Sequence, residues 1–132
     1  MKHLLDTSAL CAHFLGQSGG DGVRKILEAD AAATGVCVIT WFEMHGVLRR
    51  CGLPPRAVAE ALTLYRSLPL ASCPVSSAVV DKALELRLAA GDRLALADAL
   101  IAGCAASHGA VLVHRDQHFH GIPAALLRQQ AL

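Results

Sequence analysis

The chain has 132 residues, of which 54% are hydrophobic and 17% charged. That balance excludes a disordered segment and fits one domain, residues 1–132, around a single core. Aromatic residues make up only 4%, which argues against the stacking platforms on which single-strand binders hold successive bases. Five scattered cysteines lack the C-x₂₋₄-C spacing of a zinc site and form no even set, so neither disulfides nor a thiolate metal centre is expected. A reduced, cytoplasmic protein follows from that reading. Met1-Lys2-His3-Leu4-Leu5-Asp6 has no apolar leader region. The weakly polar stretch 99–113 is broken by Gly103, His108 and Gly109 and is too short to cross a bilayer, so no membrane partner is expected.

In chain order, residues 2–5 read as a short buried strand, and Thr7-Ser8 offers capping chemistry for a helix to about Leu15. After the Gly-rich loop 16–20, a helix from Asp21 to about Ala32 places Val23, Ile26 and Leu27 on one face. The apolar, β-branched run 36–40 predicts a second strand buried on both faces. Thr40 then reads as the cap of a helix from Trp41 to Arg50, which puts Glu43 at a capping-box position. Pro54-Pro55 opens a helix to about Ser67, and Leu68-Pro69-Leu70-Ala71 is a weak strand. Ser76 or Ser77 starts a helix to about Ala90, stopped by Gly91. A further helix runs from Ala97 to about Ser107, and 111–113 is the last strand. Strands alternating with helices predict a three-layer α/β/α sandwich around a mostly parallel sheet of about four to five strands.

Four acids fall where such a fold gathers residues. Asp6 follows the first strand, Glu43 the second, Asp116 follows the last, and Asp98 lies in a first helical turn. Ligands of open parallel sheets bind beyond the carboxyl ends of the strands. Each acid has a plainer explanation: Asp6 and Glu43 as helix caps, Asp98 as an exposed first-turn acid, Asp116 as a turn residue. Asp98 resists that account best, because Leu94-Ala95-Leu96-Ala97 precedes it and Ala99-Leu100-Ile101-Ala102 follows, and an unpaired carboxylate there is costly to desolvate. Four coincidences at one sheet edge form the weaker account. Clustered carboxylates call for a hard divalent cation with oxygen ligands. Twelve basic residues face eleven acids; with these four set aside, the remainder carries a surplus of five positive charges, suited to an anionic substrate.

His114, His118 and His120 fall within seven residues, but no further cluster completes a zinc site. His114 or His118 could serve as an acid/base group or a phosphate contact. Arg49 and Arg50 end a helix, where cations offset the dipole. Arg115, beside Asp116, is the better phosphate-binding candidate.

These residues carry a resemblance. Leu4-Leu5-Asp6-Thr7-Ser8-Ala9-Leu10 resembles the opening motif of PIN-domain ribonucleases, and Ile39-Thr40-Trp41-Phe42-Glu43-Met44-His45-Gly46 their second. Leu96-Ala97-Asp98-Ala99-Leu100-Ile101-Ala102 is similar to the third acidic motif, and His114-Arg115-Asp116-Gln117-His118-Phe119 to the fourth. The match runs from residue 4 to about 122, in a compact length similar to VapC-type toxins of toxin–antitoxin pairs. Two positions depart: His114 stands where Thr or Ser is usual, and Met44 where Leu is usual.

The resemblance implies an endoribonuclease that depends on Mg²⁺ or Mn²⁺. It assigns Asp6, Asp98 and Asp116 to the metal, Glu43 to the attacking water, and Thr7 and Ser8 either to orienting Asp6 or to the scissile phosphate, beside the phosphate-binding candidate Arg115. It also implies a homodimer and a small antitoxin that inhibits it. A phosphatase with Asp6 as covalent nucleophile would want a second Asp at position 8, which is Ser. A non-catalytic RNA- or protein-binding module of the same fold is the remaining alternative, and loss of acids would signal it.

Overall fold

In the computed structural model, which describes residues 1–132, five strands and six α-helices alternate along the chain. The strands are β1 (His3–Leu5), β2 (Thr34–Cys37), β3 (Ala71–Cys73), β4 (Val111–His114) and β5 (Gln129–Ala131). Helices α1 (Thr7–Phe14) and α2 (Gly20–Asp30) join β1 to β2; α3 (Val38–Arg50) and α4 (Pro55–Arg66) join β2 to β3. Helices α5 (Ser77–Ala89) and α6 (Leu96–Ser107) then carry the chain to β4, and 3₁₀ turns occupy Ala31–Ala33 and Gln117–Gly121. All strand pairs are parallel, in the order β3-β2-β1-β4-β5.

Successive strand residues point to opposite faces, and that alternation divides the core in two. Leu4, Cys37 and Leu112 face one way, onto α5 and α6 through Val79, Leu86, Ile101 and Ala105. Leu5, Val36 and Val113 face the other way, onto Leu10, Val23, Met44, Leu48, Val58 and Tyr65. The result is the expected three-layer sandwich, with β1 at its centre and both faces covered.

Three local expectations fail. The strand expected over 36–40 ends at Cys37, and helix α3 begins at Val38 rather than Trp41. Register explains this: Val36 pairs with Leu5 and Cys37 with Cys73, the last residues of β1 and β3, so the chain turns where its neighbours stop. Thr40 therefore lies inside the helix; its hydroxyl is buried without a hydrogen-bond partner and caps nothing. The weak strand expected at 68–71 sits at Ala71–Cys73, and β5 had no signal of its own.

Helix α6 lies against α5 with almost no space between them. A Cβ on Gly103 would meet the Val79 carbonyl oxygen at 2.7 Å and the Ala83 amide nitrogen at 3.0 Å. No side chain fits there, so Gly103 sets the depth at which α6 sits and hence the height of its first turn. No helix is long and apolar enough to cross a membrane.

Candidate active site

From β1 the sheet grows by β2 and β3 on one side, then the chain returns to add β4 and β5 on the other. The reversal leaves a crevice beyond the carboxyl ends of β1 and β4, the switch point at which open α/β sheets hold ligands. A cleft of about 300 Å³ lies there. Its lining includes Asp6, Glu43, Asp98 and Asp116, with Thr7, Ser8 and Arg115 beside them. All seven residues singled out by sequence thus border one space, joined by Cys11, Gln17 and Val47.

Asp6 leaves β1 and caps α1, so the capping role and the cleft position coincide in one side chain. One carboxylate oxygen accepts from the Ala9 amide at 2.8 Å, and Ser8 Oγ donates to both oxygens at 2.7 and 2.9 Å. Ser8 Oγ also accepts from the Arg115 amide at 2.9 Å, tying the loop after β4 to the start of α1. Glu43 is not a capping-box acid, because α3 starts five residues before it. Its carboxylate instead accepts from Thr7 Oγ1 at 2.6 Å, across 36 residues of sequence. Asp98 is the third residue of α6, whose cap residue, Ala95, offers no side-chain bond. Asp116 caps the turn Gln117–Gly121 by accepting from the His118 amide at 2.9 Å.

Burial and mutual repulsion dominate the electrostatics. Asp6 is 3% exposed, and desolvation pushes its pKa up to about 7 against the opposing bonds from Ala9 and Ser8, with Asp98 and Asp116 adding repulsion. Desolvation, then Asp116 and Glu43, push Asp98 up to about 6, while His118 acts in the opposite sense. Lysine and arginine pair with carboxylates elsewhere: Lys2 with Asp30, Arg24 with Asp21 and Glu28, Arg56 with Glu60, Lys82 with Glu85. None reaches the cleft acids. Arg115 directs its guanidinium to Gln17 Oε1 at 2.9 Å. Crowded, partly buried oxygen donors without a cation fit a hard divalent metal ion.

One residue enters that donor set that spacing had weighed only for zinc, acid/base or phosphate roles. A ring nitrogen of His118 and single oxygens of Asp98 and Asp116 all lie within 4.8 Å of one another. His118 Nδ1 is 2.9 Å from Asp116 Oδ1. The signal was the two-residue spacing from Asp116, which a short turn closes into contact.

His114 goes the other way. It is fully buried, outside the cleft lining. The Asp116 amide donates to its Nδ1 at 3.1 Å, so Nε2 carries the proton and donates to Gln129 Oε1 at 2.9 Å. Desolvation lowers its pKa. The Gln129 amide in turn donates to the Phe119 carbonyl oxygen at 3.0 Å. A neutral imidazole here orients the Asp116 turn from beneath and is shut off from any substrate.

A family profile for the PIN domain matches residues 3–125. Among solved structures, VapBC2 from Rickettsia felis bound to a promoter DNA fragment is similar at 21% identity and a TM-score of 0.76, covering 99% of this chain and 98% of that one. DNA-bound VapBC from Salmonella typhimurium is similar at 19% identity and a TM-score of 0.79, with the same coverage. VapC20 from Mycobacterium tuberculosis, a sarcin–ricin-loop-cleaving toxin, is similar at 19% identity and a TM-score of 0.70, covering 90% of this chain and 93% of that one. No curated protein matches in sequence at significance. With the profile spanning nearly the whole chain and the four acids gathered in one cleft, the protein belongs to the PIN-domain family.

Proposed function

We propose that the protein is a metal-dependent endoribonuclease and the toxin of a toxin–antitoxin pair. The observation that carries this reading is the convergence of Asp6, Glu43, Asp98 and Asp116 on one cleft at the switch point, with Asp6 and Asp98 held far above the ordinary carboxylate range and no lysine or arginine in an ion pair with any of the four.

Asp6, Asp98 and Asp116 would hold Mg²⁺ or Mn²⁺, with His118 in reach of the last two. When bound, the ion offsets the clustered negative charge, lowers the pKa of a water and polarises a phosphodiester. The chain's own groups do the rest. Ser8 and the Ala9 amide fix the rotamer of Asp6. Thr7 occupies Glu43 Oε1 and leaves Oε2 free to take a proton from attacking water. Arg115 stands at the rim, where its guanidinium can exchange Gln17 for a substrate phosphate.

The partners follow the same reading. An antitoxin reaching the cleft would place Arg or Lys among the acids, and an antitoxin partner is suggested by the likeness of this fold to VapBC structures. A homodimer suits the stripe Val80, Leu84 and Leu88 on α5, which stays about half exposed at one face of the helix. The proposed setting is the cytoplasm.

Purified protein incubated with total cellular RNA should cleave it in Mg²⁺ and not in EDTA, leaving 5′-phosphate ends. Cyclic phosphate products formed without metal would replace the metal mechanism with a histidine-driven one. Persistent inactivity on RNA with metal bound would favour the binding-module alternative.

A further inference from the structure

The two faces of the sheet differ in their cysteines. Cys37, Cys73 and Cys104 all lie in the core between the sheet and α5–α6, and all are free thiols. Cys37 and Cys104 are 67 residues apart in sequence, yet their sulfurs lie 3.3 Å apart, with the Cys104 thiol donating to Cys37. Unbonded sulfurs normally stay a few tenths of an ångström further apart. Neither side chain has measurable exposure, and neither lines the acidic cleft.

The two thiols are unequal. Cys37 ends β2 at the N-terminus of α3, and its side chain makes no capping hydrogen bond there. The hydrogen bond from Cys104 lowers the Cys37 pKa against burial, which acts to raise it, whereas the same bond and burial both hold Cys104 protonated. One sulfur is thus prepared as a nucleophile and the other as its proton-bearing neighbour. Cys73 continues the chain of sulfurs outward: its Sγ is 3.4 Å from Nδ1 of His108, an exposed residue.

We propose that Cys37 and Cys104 are an oxidation site, joined into an intramolecular disulfide by a small peroxide. The Cys37 thiolate attacks one peroxide oxygen; an S–O bond forms, the O–O bond breaks, and the leaving hydroxide takes a proton to become water. The Cys104 sulfur then attacks the resulting sulfenic acid; the S–S bond forms, the S–O bond breaks, and the departing hydroxide leaves as water with the Cys104 proton. Two thiols are oxidised, one peroxide is reduced, and two waters are released. Closing from 3.3 Å to a disulfide length of about 2.05 Å needs a movement of little more than 1 Å. The bridge ties the start of α3 to the C-terminal third of α6, the two helices that carry Glu43 and Asp98. Burial makes the site selective for size: a peroxide can reach it through local opening, and a bulky aromatic disulfide cannot.

The test is hydrogen peroxide titrated into the folded full-length chain carrying Cys51→Ser, which removes the exposed thiol. Non-reducing peptide mapping should show a 2 Da loss and one link between the Cys37 and Cys104 peptides. The unfolding midpoint should rise by about 5 °C or more and fall back with reductant. Cys73→Ala should leave the link intact, and Cys104→Ala should abolish it. A link from Cys73, sulfinic acid at Cys37 without any link, or thiols unchanged at peroxide levels that oxidise Cys51 in the unsubstituted chain would overturn the proposal. A midpoint lowered by the bridge would overturn the staple. RNA cleavage is not needed as a readout, so this test stands apart from the nuclease assignment.

Discussion

The floor of the cleft and its rim hold carboxylates by opposite means. Asp6, Glu43 and Asp98 form the floor, each on a helix or at a strand-to-helix junction packed into the sandwich. Arg115, Asp116 and His118 form the rim, on the turn after β4, where a histidine pairs directly with the acid. On the floor, hydrogen bonds from Ser8 and Ala9 do not prevent burial from pushing Asp6 up to about 7. Local hydrogen bonding thus loses to desolvation, and the floor stores repulsion that a bound cation relieves. The rim is more open to solvent, with Asp116 in direct contact with the exposed His118 ring. Substitution of Asp6, Asp98 or Asp116 should therefore change metal affinity and chemistry together, while substitution of Arg115, which bears no metal role, should act mainly on substrate.

The strongest break of that comparison is Asp98→Asn. RNA cleavage should fall by at least about a hundredfold at saturating Mg²⁺, while the metal-free protein unfolds at the same temperature or higher, because one repelling charge is gone. Activity within tenfold of the unsubstituted chain would remove Asp98 from the metal site.

Asp6 sets a pH dependence of definite sign. Its folded pKa of about 7 lies above the ordinary 3.8, so the native state holds a proton that the unfolded chain has released between those values. Its contribution to stability is therefore lost as pH rises from about 4 to about 7. The size is on the order of 3–4 kcal/mol at most, given burial and mutual coupling. In metal-free protein, Asp6→Asn should be more stabilising at pH 8 than at pH 5, measured by urea unfolding of both chains. That double difference isolates Asp6 from buried His114, whose lowered pKa acts in the opposite sense as pH falls.

Gly103→Val tests how firmly α6 sets the floor. Its added atoms must displace backbone of α5, at a cost of about 1–3 kcal/mol, and Mn²⁺ affinity should fall with stability, although the substitution lies five residues beyond Asp98. Stability lost with metal affinity unchanged would show that the height of α6 does not matter. The smallest effect belongs to the rim: Arg115→Ala should raise KM for RNA several-fold and leave kcat within about twofold.

Much of this was legible in the sequence, for identifiable reasons. Asp98 stood out because its neighbours are apolar for four residues on either side, so any fold had to account for the charge. The sandwich followed from strands and helices in alternation. Glu43 was found in the right place by a wrong local argument: β2 stops at Cys37 because its neighbours stop there, and no propensity within Val38-Ile39-Thr40 reports where another strand ends. Strand β5 is a three-residue edge whose residues are mostly exposed, so it leaves no periodic pattern. The contacts of His118 with Asp116 and Cys37 with Cys104 were hidden differently, the first by a turn, the second by the fold itself.

The central claim is that Asp6 and Asp98 are protonated in excess because they await a cation. Calorimetric titration of Mn²⁺ into the metal-free protein at pH 6.5, repeated in two buffers of different ionisation enthalpy, counts the protons exchanged on binding. Binding with net release of protons, reduced in Asp98→Asn, is the predicted result. Binding without proton release, or no binding to the unsubstituted chain, would contradict it.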